Sequence, residues 1–295
     1  MKIKTLLIIF LVYGLIFGSF YTFLKFSRVE EPLFLTHYYE KEIFDSSDDY
    51  VSIFYITNKG DQRQLVSAKS KELPGRQFYV DHDMIQYSEG IYNQHEALIN
   101  LTNIEERDIM LENFLFEFSD GTSVETDIGA ILLLEADRPG ADEMVVDIPS
   151  SGSSNAGESF AAVNILKDSQ LAAINLPYSN ELTGFLDLKL DKSNSASISI
   201  NPEPEEFKIS GDMSGFPKDE LPVSLIKGEM IRVNGFVDKT EMYENDIHAL
   251  QIGITGTFLL NEKEVKQHLM YVTEQPYLTS TQIKELKELR EEGPR

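Results

Sequence analysis

The chain has 295 residues, 42% of them hydrophobic, with 18 Phe and 13 Tyr, which is enough for a packed core and too apolar for wholesale disorder. It carries 26 basic and 49 acidic residues, net −23; Lys2, Lys4, Lys25 and Arg28 are the only charges before Val29, so everything beyond is four units more negative, at −27. So acidic a surface repels phosphate backbones and argues against a nucleic-acid partner, and the lack of any Cys excludes disulfides, thiolate zinc sites and a Cys nucleophile.

The first element is apolar. Thr5 to Leu24 is a charge-free run of twenty residues between Lys4 and Lys25. As a helix it spans about 30 Å, the thickness of a bilayer's hydrocarbon core. A cleaved signal peptide has a shorter apolar region and small residues before its cleavage site. Here cleavage after Ser19 would put Phe17 three residues back, and cleavage after Gly18 would put Ile16 there. Residues 5–24 therefore read as a retained signal-anchor that crosses the bilayer once, within a cytoplasmic tail and anchor at 1–28. The positive residues flanking the run are nearly balanced, but a four-residue basic tail is hard to translocate. The expected orientation is N-terminus inside and the large domain outside the cytoplasm.

Gly14, Gly18 and Thr22 fall one helical turn apart on this run. They match the small-x-x-x-small spacing by which membrane helices approach each other closely. Two readings stand side by side: glycine is common in membrane helices anyway, or the row supports a weak homodimer.

From Pro32 onward the pattern becomes period two, the mark of half-buried strands. Residues 50–57 precede an Asn58-Lys-Gly-Asp61 turn, 77–87 follow Pro74-Gly75, and 95–103 alternate again. Residues 112–118 and 123–135 face each other across Ser119-Asp120-Gly121-Thr122, a hairpin signal. This makes 29–148 a first β-rich domain. Residues 149–159, small and polar, read as a Ser/Gly linker or long loop. Strands resume over 160–278, including 183–190 and 195–200 joined by a polar turn at 191–194, 205–210, 228–238 and 248–260, with an acidic bend at 202–206. In 279–295, Thr279 and Gln282 form a capping box, and Ile283, Leu286 and Leu289 share a stripe of a helix that Gly293-Pro294 ends. The predicted class is mainly β: one or two antiparallel sandwich-like domains after a transmembrane helix, closed by a short C-terminal helix.

The search for chemistry yields little. Ser224 and Lys227 have S-x-x-K spacing but sit in a strand-like stretch without its partner motifs, and Ser154 lies in the polar run rather than on a nucleophile elbow. Asp191, Ser193 and Ser195 have the spacing of a metal-ion adhesion motif, but too little chain follows for the α/β domain it requires. Asp81 and Asp83, on one face of a strand, could hold calcium with help from Asp45 to Asp49, although solvated edge residues are the plainer reading. His37, His82, His95, His248 and His268 show no ligand spacing, and 253–258 reads as glycine packing within a strand. The Asn100-Leu-Thr102 sequon has meaning only in a eukaryotic secretory setting. No catalytic, cofactor or metal residue is assigned.

The resulting expectation is a non-catalytic, membrane-anchored protein that binds or assembles with an unknown envelope partner. The alternatives are an anchored hydrolase using a pair of carboxylates, or a cytosol-facing interaction domain.

Overall fold

The computed structural model describes residues 3–43, 49–102, 104, 106–135, 140, 142–193 and 221–292. The acidic segment 44–48, the expected strands at 195–200 and 205–210, the bend at 202–206 and Gly293-Pro294 lie outside the described residues.

The chain begins with α1 (Ile3–Ser27), a continuous helix that extends beyond the charge-free run at both ends. Strands follow: β1 (Leu33–Phe34), β2 (His37–Ile43), β3 (Tyr50–Asn58), β4 (Leu65–Ser70), β5 (Phe78–Glu89), β6 (Tyr92–Asn100), β7 (Ile109–Phe118) and β8 (Ser123–Glu135). Two of the turns expected in this half are present. Gly60 takes φ +91 after Asn58, and Gly121 takes φ +84 where Phe118 N–H bonds to Thr122 O at 2.9 Å. Both are left-handed positions that glycine occupies without a steric penalty.

The second half contains β9 (Val146–Ser153), β10 (Glu158–Ile165), β11 (Ser169–Asn175), β12 (Leu186–Ser193), β13 (Val223–Leu225), β14 (Met230–Val237), α2 (Lys239–Glu244), β15 (Ala249–Leu260), β16 (Lys263–Glu274) and α3 (Ser280–Glu292). Residues 149–159, expected as a Ser/Gly linker or long loop, lie in a hairpin. β9 and β10 pair antiparallel, and Ser154 N–H closes the turn on Glu158 O at 2.8 Å. The alternation is missing from the sequence because β9 is the outer strand of its sheet and most of its side chains are exposed. Backbone pairing needs no apolar side chain, and an edge also tolerates Pro149. The polar turn expected at 191–194 is likewise strand as far as Ser193, with Asp191 opposite Arg232.

Two sheets form. The larger has twelve strands in the order β1-β3-β6-β5-β4-β7-β8-β2-β15-β11-β13, with β16 on β15; the smaller runs β12-β14-β10-β9. The larger sheet thus takes strands from both sides of 149–159. Pairing is antiparallel except around β2, which runs parallel to both β8 and β15. Distant segments can meet in either direction because no hairpin joins them.

One core collects Phe34, Phe54, Tyr55, Phe114 and Phe116 with Ile283 and Leu286 of α3. A second draws Val163, Ile231 and Val233 from the smaller sheet against Ile252, Ile254 and Val272 of the larger. α3 starts on the predicted capping box: Thr279 N–H donates to Gln282 Oε1 at 2.9 Å, and Gln282 N–H to Thr279 Oγ1 at 3.4 Å. Leu289, expected on its buried stripe, is 47% exposed. Thr279→Ala is expected to lower the urea midpoint by the equivalent of about 1 kcal/mol without changing the slope.

Candidate functional site

α1 is the element the anchoring expectation depends on. Its described side chains from Phe10 to Phe26 stand open, including Phe10 at 70%, Phe17 at 67% and Phe26 at 73% exposed. Such a series of large apolar groups does not suit water. By length and composition the helix can cross a membrane, with mean hydropathy 1.4 over Phe10–Ser27. Gly14 and Gly18 face open space where a Cβ would be, and Thr22 Oγ1 donates to Gly18 O at 2.8 Å.

The helix end is fastened to the β-rich body. Lys287 Nζ of α3 donates to Phe26 O at 2.7 Å, and the Tyr92 hydroxyl donates to Ser27 O. These are carbonyls that the last helical turn leaves without intrahelical partners, and an ammonium there also suits the negative end of the helix dipole. Two residues on, Asn58 brackets Val29, accepting from its N–H at 3.0 Å and donating to its O at 2.6 Å. Ser27 and Val29 are each only 6% exposed.

Asp81 and Asp83, expected on one face of a strand as candidate calcium ligands, are separated. A bulge between Val80 and His82 adds Asp81 to β5 and breaks the alternation. Asp81 is exposed and accepts from Asn100, whereas the Asp83 side chain is buried. Asp83 Oδ2 accepts from the Tyr55 hydroxyl at 2.6 Å and Leu65 N–H at 2.7 Å; Oδ1 lies 3.3 Å from His95 Nδ1. His95 Nε2 lies 3.0 Å from Thr57 Oγ1, and its ring stacks on Tyr55. Burial and the bond to Asp83 push the Tyr55 hydroxyl far above its ordinary range, so it remains a donor. Thr57, His95 and Asp83 have the hydroxyl–imidazole–carboxylate order of a nucleophile relay. Thr57 is 1% exposed and cannot meet a substrate, so the group joins β3, β5 and β6. Nothing in the sequence marked it, because the pairing of Asp83 with His95 depends on the bulge.

A second polar meeting point lies over Gly253. A Cβ there would sit 2.6 Å from Glu40 Oε1 and 3.0 Å from His268 Cε1, so the missing side chain is what lets the two groups converge. This agrees with the expected glycine packing in 253–258. Burial pushes the Glu40 carboxyl up to about 7, with Glu42 adding to it, and burial lowers His268 to about 4. His268, Tyr271, Thr273 and Ser151 to Ser153 help line a shallow pocket of about 410 Å³.

The remaining histidines divide. His82 is exposed. His37 Nε2 accepts from Phe54 N–H at 2.9 Å, and His248 Nδ1 from Thr36 N–H at 3.3 Å. Burial lowers both to about 3. Ser224 lies on β13 and Lys227 in the following turn, so no helical turn brings them together. Ser154 accepts from Ala156 N–H within the β9–β10 turn. Among the described residues, no cluster of three or more His, Asp or Glu could hold a metal ion.

No known protein family matches the chain, and no curated protein matches it. One similar solved structure is a protein of unknown function from Porphyromonas gingivalis W83. It matches 83% of this chain and 96% of its own, at 10% identity and a TM-score of 0.23.

Proposed function

We propose that this is a single-pass membrane protein, anchored by α1, whose acidic β-rich body lies outside the cytoplasm and binds or assembles with an envelope partner without catalysis. The observation that carries the reading is the join between helix and body. The described side chains of α1 from Phe10 to Phe26 are open, while its final carbonyls and Val29 are held by Lys287, Tyr92 and Asn58. Cleavage near Ser19 would leave the apolar stub Phe20–Ser27 attached to a soluble protein. Retention gives the same residues a lipid environment.

The separate partners of the buried carboxylates support a binding role over a carboxylate-pair hydrolase. Asp83 is held by three donors, and Glu274 pairs with Lys239 at 2.5 Å. A sandwich-like arrangement of the two sheets about their shared core belongs to this reading, as does weak pairing of anchors through Gly14, Gly18 and Thr22.

Protease treatment of intact cells tests the topology. The body is expected to be digested, and the purified membrane form to retain its full N-terminal mass. Full protection would place the domain in the cytosol, and a mature N-terminus near Ser19 would refute the anchor.

A further inference from the structure

We infer that one end of the β-rich body is itself a membrane-contact surface, seated in the headgroup layer around the exit of α1 with Tyr87 and Tyr277 as its interfacial contacts. The inference rests on the anchoring reading and adds to it where the body stands.

An anchored domain ordinarily gains distance from the bilayer through a stalk, and this chain has none. α1 ends at Ser27, and Val29 is already in the core between the side-chain bonds of Asn58. The headgroup region on each side of the hydrocarbon is only about 5–8 Å deep. Groups that touch residues 26–29 are therefore held at that depth.

Several turns gather there. Lys59 N–H bonds to Ile91 O at 2.7 Å, tying the turn after β3 to the turn between β5 and β6. The first residue of α3 closes on the same place, since a Cβ on Gly90 would lie 2.4 Å from Ser280 Oγ. Gln94, two residues from Tyr92, donates to Pro276 O at 2.6 Å and so draws the 275–278 segment alongside.

Beside this joint two aromatic side chains are left out of the core. Tyr87 pairs in register with Gln94 and packs edge-on against Tyr277, with ring centroids 6.2 Å apart. They are 37% and 51% exposed. A tyrosine ring with an apolar body and a polar tip suits the boundary between lipid and water. The charges nearby are mixed: Lys25, Arg28 and Lys59 are exposed, as are Glu30 and Glu31, with Glu89 half-buried. Contact therefore follows from tethering and aromatic insertion rather than from attraction to anionic lipid, and salt should leave it unchanged.

The chain has no native Cys, so each introduced one is a unique labelling position. Full-length protein would be reconstituted in phosphatidylcholine vesicles containing a headgroup-level quencher, with a fluorophore on Tyr87→Cys, Tyr277→Cys or Lys59→Cys. Tyr21→Cys reports on the helix. Lys71→Cys, at the opposite end of β4, reports on the far end of the body. Quenching at 59, 87 and 277 comparable to a Phe26→Cys label, none at 71, and no change with salt, is the expected result. If Tyr21→Cys responds to an acyl-chain quencher while 59, 87 and 277 behave like 71, the body stands off and the inference fails, with the anchor intact. If Tyr21→Cys fails to respond, the anchor reading falls and the inference with it. Lys59 and both tyrosines are solvent-facing, so these labels should leave the core intact.

Discussion

Lowering the pH from 6.5 to 4.5 is expected to destabilise the body steeply. Its three most strongly depressed bases are His37 and His248, each lowered to about 3, and His268, lowered to about 4, all by burial. An unfolded histidine titrates near 6.5. These groups are essentially neutral in the fold over most of this window, while in the unfolded chain they pass from half-charged at pH 6.5 to charged at pH 4.5, so the protons taken up on unfolding rise from about 1.5 to a little under three. Their stabilising effect is complete above about pH 6.5 and is lost as pH falls toward their folded values.

Glu40 works in the opposite direction. Its folded value near 7 lies above its unfolded one, so it favours the fold most below about 4.5 and loses that contribution as pH rises through 7. Asp246 and Glu274, also raised by burial, oppose the histidines in the same way. The balance leaves a net uptake of about one to two protons, or roughly 2 kcal/mol per pH unit. Two units at that slope approach the entire stability of an ordinary domain. Urea unfolding at half-unit pH steps measures it.

The double variant His37→Gln, His248→Asn keeps an acceptor near the position of each bonded ring nitrogen and removes both ionisable groups. It should remove up to about two protons of uptake and so leave the slope flat or reversed. An unchanged slope would mean that these imidazoles do not carry the pH dependence.

Much of this architecture could be read from the residues because local rules decide it. A charge-free run of spanning length makes α1, Asp120-Gly121 makes the β7–β8 turn, and Thr279 with Gln282 starts α3. What was missed depends on contacts between distant segments. β9 pairs through its backbone and shows no apolar alternation. β2 runs parallel to β8 and β15, an arrangement no turn sequence encodes. The bulge at Asp81 reverses the face expected of Asp83, and burial of His37 and His248 follows from packing around residues over two hundred positions apart. α2 could have been found: Asp238 Oδ1 accepts from Thr240 and Glu241 N–H at 2.9 and 3.3 Å, an N-cap visible as Asp-x-x-Glu. The join of α1 to the body had no such signal, since Lys287 and Tyr92 reach it from elements far along the chain.

The Asp83 group offers the largest single-residue effect. Its carboxylate has the Tyr55 hydroxyl and Leu65 N–H on one oxygen and the His95 imidazole on the other, and the Asp83 and His95 side chains are only 4% and 6% exposed. With Nδ1–H donating to Asp83, His95 Nε2 is free to accept from Thr57, and every polar atom of the group is partnered. Asp83→Ala removes the shared acceptor and strands a buried hydroxyl, a backbone amide and an imidazole. Leaving buried donors unpaired costs about 1–3 kcal/mol each when water cannot reach them. Partial relaxation still leaves an expected loss of roughly 3–5 kcal/mol. Asp83→Asn should cost much less. Its oxygen can keep Tyr55 and Leu65, and its amide can donate to His95 Nδ1 if the imidazole moves its proton to Nε2 and donates to Thr57. That tautomer change gives the pair of variants a signature beyond stability. Nitrogen-15 shifts of the His95 ring should report Nδ1–H in the native protein and Nε2–H in Asp83→Asn, with Asp83→Ala the least stable of the three to urea. Equal losses for the two substitutions, or an unmoved ring proton, would overturn this account of how the hydrogen-bonded group is held.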